Sequence, residues 1–83
     1  MRYTKRYLVY SWDKDEQESY TNDYGIELDE ALEEGRRDPI DYGTFLGEFD
    51  TDEEANDCAI KHTDFNYYDD VSIYDTAERY WFN

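Results

Sequence analysis

The chain is 83 residues long and carries 23 Asp and Glu against 8 Lys and Arg, a formal net charge of −15. A field of that sign repels nucleic acid and anionic membranes and draws in cations and basic partners, which excludes direct nucleic-acid or membrane binding as a role. One cysteine, Cys58, excludes a disulfide framework or a CxxC metal knuckle and fits a reducing, cytoplasmic setting; no apolar run reaches the length of a signal-peptide core or a membrane-spanning helix.

High charge with low mean hydropathy is also the mark of disordered chains. Here 10 Tyr, 4 Phe and 2 Trp argue for a core, since aromatic side chains bury ~150–250 Å² each. A single folded domain over residues 1–83 is therefore expected, with a radius of gyration of about 12 Å. The charge is uneven: residues 1–12 contain Arg2, Lys5 and Arg6 and no acid, so residues 13–83 hold all 23 acids with five bases, a net of −18.

Taken in chain order, Tyr3 to Trp12 is rich in aromatic and β-branched residues and predicts a strand. Alternation puts Leu8, Tyr10 and Trp12 on one face and Tyr7 and Val9 on the other, the pattern of a central strand covered on both sides. Asp13 to Gly25 lacks a sustained period and reads as a long acidic loop, the most mobile part of the domain. Leu28, Ala31 and Leu32 then recur at helical spacing, predicting a helix over Glu27 to Glu34 with Gly35 as its stop and Arg36 and Arg37 beyond it.

After Asp38 and Pro39, Tyr42 to Phe49 predicts a second strand with Phe45 and Phe49 facing one way. Thr51-Asp-Glu-Glu54 has capping-box spacing, and Ala55, Cys58, Ala59 and His62 form the buried stripe of the helix it starts. Tyr67 to Tyr74 reads as a third strand with Val71 and Ile73 on one face. Asp75-Thr-Ala-Glu78 repeats the capping spacing, which favours a short helix over Thr76 to Phe82, while Tyr80, Trp81 and Phe82 favour a strand. The expected fold is α+β: a small three- or four-stranded sheet with two short helices, in the order β-α-β-α-β plus a C-terminal helix or strand.

No motif for catalysis emerges. Calcium loops counted from Asp13 or Asp50 fail at the turn glycine and at the bidentate ligand, which fall on Glu18 and Tyr24 or on Ala55 and Lys61. Cys58 and His62 share a helix face, but a free Cys in an Ala-rich stripe behaves as a small hydrophobe. There is no Gly-rich phosphate loop, GxSxG or HExxH. Neither a catalytic residue, nor a metal, nor a cofactor is expected.

What remains is the acid surface, on carboxylates that local structure does not need. These are Asp13, Asp15, Glu16, Glu18 and Asp23 in the acidic segment, Glu27, Glu30, Glu33 and Glu34 on the first helix, and Glu53 and Asp57 on the second. Glu54 and Glu78 are set aside as capping residues. Tyr20 and Tyr24 either anchor a partner or pack beneath the loop.

In size, charge density, tyrosine content and absence of catalytic motifs, the chain resembles the small acidic DNA-mimic inhibitors of phages and mobile elements, of the anti-CRISPR and antirestriction type. The closing IYDTAERYW is similar to aromatic-acidic stretches of antirestriction proteins. The resemblance implies a non-catalytic inhibitor in the host cytoplasm that occupies the DNA site of a basic nucleic-acid-binding protein, such as a CRISPR or restriction nuclease. The alternative is an acidic adaptor or regulatory module that docks through its sheet or aromatics without imitating DNA.

Overall fold

The computed structural model describes residues 5–64 and 70–82. Strand β1 (Tyr7–Trp12) is followed by helices α1 (Lys14–Tyr24) and α2 (Leu28–Glu33), then a 3-10 turn (Asp38–Asp41) and strand β2 (Thr44–Phe49). Helix α3 (Asp52–Asp64) leads to strands β3 (Asp70–Asp75) and β4 (Tyr80–Phe82). The four strands form one antiparallel sheet in the order β2-β1-β3-β4, so the fold is α+β and β1 is central, as its sequence predicts.

Every residue of β1 is buried because both faces of the sheet are covered. On one face Leu8, Tyr10, Trp12, Tyr74 and Trp81 meet Tyr20 of α1 and Leu28 and Ala31 of α2. On the other Tyr7, Val9 and Ile73 meet Ala55 of α3, with Cys58, Ala59, Leu46, Phe49, Val71 and Phe82 packed around them. The first layer is aromatic, with Trp12 and Trp81 edge-to-face at 5.2 Å between ring centroids. The second mixes Tyr7, Phe49 and Phe82 with aliphatic side chains, and Ala55, Cys58 and Ala59 give α3 a small-residue face toward the sheet.

Several expectations are corrected. Regular pairing of the first strand starts at Tyr7, since Lys5 and Arg6 lie in a bend; residues 3–4 lie outside the described residues, as does the 67–69 portion of the third predicted strand. Asp13 to Gly25 is a helix and not a loop, which makes three α-helices where two were expected. Phe45 and Phe49 face opposite sides of the sheet. Val9 pairs with Gly47 but Tyr10 pairs with Phe45, so Leu46 is an extra residue in a β-bulge and inverts the alternation between them. Phe45 consequently packs on Tyr10 at 5.5 Å, while Phe49 joins the second layer.

At the C-terminus the strand alternative holds. Asp75 does not start a helix: its Oδ1 accepts from the amides of Ala77 and Glu78, and Arg79 turns the chain at φ 59° so that Tyr80 pairs back with Asp75. Glu78 is therefore a turn residue, 3.9 Å from the guanidinium of Arg6.

Candidate acidic interface

Helix α1 is specified at its two ends and not by apolar periodicity. Asp13 accepts from the Glu16 amide at 2.8 Å and Glu16 accepts from the Asp13 amide at 3.0 Å, a reciprocal capping box. Gly25 closes the helix at φ 71°, a left-handed conformation that costs a glycine nothing. Asp13 and Glu16 are thus committed to a cap, and Glu16 also accepts from the Thr44 hydroxyl at 3.3 Å. Asp15, Glu18 and Asp23 are exposed.

Of the two tyrosines, Tyr20 is fully buried and belongs to the core, which removes it from the exposed anchors; Tyr24 is 43% exposed and keeps that role. Tyr20, Tyr24 and Tyr42 form a mutually packed trio with centroids 4.6, 5.3 and 5.7 Å apart. The Tyr20 hydroxyl donates to Asp38 at 3.2 Å, and burial together with that carboxylate pushes its pKa up to about 12. The Tyr42 hydroxyl donates to Asp23, which also raises its pKa. Arg36 pairs with Asp38 and places its guanidinium 5.3 Å from the Tyr24 centroid. Tyr42, Asp38 and Arg36 join this cluster from a segment far along the chain, and no local pattern in the sequence marks them.

Helix α2 presents Glu30, Glu33 and Glu34 to solvent, with Glu27 at its N-cap. Gly35 ends it as the sequence predicts: at φ 74° its amide bonds Leu32 O and the Arg36 amide bonds Ala31 O, the paired bonds of a Schellman motif. Glu33 and Glu34 lie at the negative end of the helix dipole. Asp29 and Glu33, and Glu30 and Glu34, are like-charge pairs four residues apart, an arrangement that disfavours the helix. Among the described residues Glu18, Glu30, Glu33 and Glu34 make no ion pair or side-chain hydrogen bond.

Two of the N-terminal bases, Lys5 and Arg6, are by contrast occupied by structure. Arg6 grips Asp75 with two 2.9 Å bonds, Nε to Oδ1 and Nη2 to Oδ2, tying the start of β1 to the end of β3. That hydrogen bonding holds the buried Asp75 carboxylate below the usual range and raises the guanidinium in turn. Lys5 lies 3.6 Å from Asp50.

Glu53 and Asp57 are exposed on α3, on the opposite side of the sheet from α1 and α2, so the structure does not bring all the sequence-chosen acids together. Asp52, Glu53 and Glu54 occupy the first turn of α3 and Lys61 and His62 its last, both favourable to the dipole. Thr51 caps this helix by accepting from the Glu54 amide at 3.2 Å, while its hydroxyl donates to the Glu54 carboxylate at 3.0 Å. Cys58 packs in the second layer, where burial pushes its thiol pKa up and disfavours the thiolate.

Among the described residues no group of three or more His, Cys, Asp or Glu could hold a metal ion, and no helix is long and apolar enough to cross a membrane. In comparisons with known proteins, no family model, no curated protein and no solved structure matches the chain.

Proposed function

We propose that the protein is a non-catalytic inhibitor that presents a DNA-like acidic surface to a basic nucleic-acid-binding protein, such as a CRISPR or restriction nuclease, and blocks its DNA binding. The observation that carries this reading is the uncompensated acid of the α1–α2 layer. Residues 13–41 hold twelve acids and three bases, while two of the N-terminal bases are tied down by Asp50 and Asp75. Acids that weaken their own helix have a reason to be there if a cationic surface neutralises them on binding.

The scale is right for duplex DNA. The molecule measures 33 Å along its longest axis, a length over which B-DNA carries about 19 phosphate charges, against a net of −15 here. Complementary fields of this strength steer association and make it steeply salt-dependent.

Immobilised protein exposed to host lysate at low salt should retain a nucleic-acid-binding protein that duplex DNA elutes. Retention only of proteins without nucleic-acid affinity contradicts the mimic reading. It would favour the adaptor, for which Phe45 and Tyr80, both exposed on edge strands, are the anchors to substitute.

A further inference from the structure

At the C-terminal end of α1 the ring of the exposed Tyr24 already carries a guanidinium, that of Arg36, which also pairs with Asp38. Asp23 stands beside the same rings, accepting from Tyr42. A tyrosine face flanked by carboxylates suits a planar, delocalised cation, which stacks on the ring while its N–H groups reach the oxygens; a lysine ammonium matches only the charge. The same pairing of a π face with an anion is what a DNA-binding arginine meets in a nucleotide.

Resting on the DNA-mimic reading above, we propose that the Tyr20–Tyr24–Tyr42 trio with Asp23 and Asp38 is an arginine-binding site for the basic partner, and that Arg36 is its internal occupant, displaced when an arginine of the partner docks. The Arg36 backbone is fixed independently of its side chain. Its amide bonds Ala31 O in the Schellman motif and its carbonyl accepts from the Trp81 indole at 2.6 Å. Its side chain is 31% exposed, so it can swing out to solvent without disturbing the fold.

The test compares an arginine octapeptide with a lysine octapeptide by calorimetric titration at low salt, using the full chain, the variants Arg36→Gln and Arg37→Gln, and each of these combined with Tyr24→Leu or Tyr24→Phe. Arg36→Gln vacates the site; Arg37→Gln removes the same charge next to it, from an exposed residue outside the trio. Tyr24→Leu removes the ring and Tyr24→Phe keeps it, and each variant is checked for cooperative thermal unfolding.

The arginine peptide should bind R36Q about three- to tenfold more tightly than R37Q, the range expected for one partly desolvated cation–π contact. That advantage should be absent for the lysine peptide, lost when Y24L is combined with R36Q, and kept when Y24F is. Equal affinities of R36Q and R37Q, or a gain that persists without the ring, overturn the arginine site while leaving the acidic-surface reading intact. Failure of both peptides to bind the wild-type chain overturns both.

Discussion

The two helical layers on either face of the sheet are equally acidic to the eye, yet their acids do different things. On α3 three acids fill the first turn and Lys61 and His62 stand beside Asp64 in the last, so the charges at its start suit the dipole, although Glu53 and Asp57 repel four residues apart. On α1 and α2 neither last turn has a base; Asp23, Glu33 and Glu34 stand where the dipole is negative, and on α2 two pairs of acids four residues apart repel. The difference teaches that composition alone does not identify a binding surface. The acids to test are those that local stability opposes and a large aromatic core tolerates.

That tolerance is the first thing to break. Trp12→Ala, emptying the aromatic layer beneath α1 and α2, should cost about 3–5 kcal/mol and come close to unfolding so small a domain, whereas Cys58→Ala in the other layer should cost no more than ~1 kcal/mol. Urea denaturation of the two variants measures this, and equal losses would mean the layers do not differ in the way their packing indicates.

Next in size is the clamp between the sheet strands. Asp75→Asn should lose ~1.5–3 kcal/mol by removing charge-assisted bonds to Arg6. Because hydrogen bonding by Arg6 lowers the Asp75 pKa in the folded state, this stability is fully present above the ordinary Asp value of about 3.9. It is lost as pH falls through the lowered folded value, so the difference between wild type and D75N should shrink on acidification below about pH 4.

Smaller, but sharper for the comparison, are two charge reversals. Glu33→Lys turns a repulsive pair with Asp29 into an attractive one and places a cation at the helix C-terminus; it should raise stability by ~0.3–1 kcal/mol while weakening partner binding. Glu53→Lys, in the first turn of α3, loses a favourable dipole interaction but turns the repulsive pair with Asp57 into an attractive one, so stability should change by less than ~0.5 kcal/mol. Thermal melts in parallel decide whether E33K gains stability and E53K does not. Smallest is the effect of salt: screening the net charge should raise the Tm of the free protein by a few degrees, and a falling Tm between low and moderate salt would show that self-repulsion is not a cost.

Much of this was legible in the sequence. The alternation of β1, the Thr51 cap and stripe of α3 and the Gly35 stop each rest on local chemistry that tertiary packing did not override. Helix α1 reads as a loop in the sequence, although Asp13 and Glu16 have capping-box spacing and Gly25 lies just past its end. With Tyr20 and Tyr24 as its only large apolar side chains it lacks the periodicity that advertises a helix. The bulge at Leu46 and the gathering of Tyr42, Asp38 and Arg36 around Tyr24 depend on how distant segments meet, and no spacing within one segment encodes that. The acids were visible as a list; their division between two faces was not.

The most direct test of the central claim is lysate capture at low salt by three baits: wild type, the double reversal E33K/E34K and the single reversal E53K. A DNA-eluted nucleic-acid-binding protein should be retained by wild type and E53K and lost by E33K/E34K, although the double variant unfolds at a higher temperature than wild type. Equal retention by all three baits, or loss with E53K alone, would contradict it.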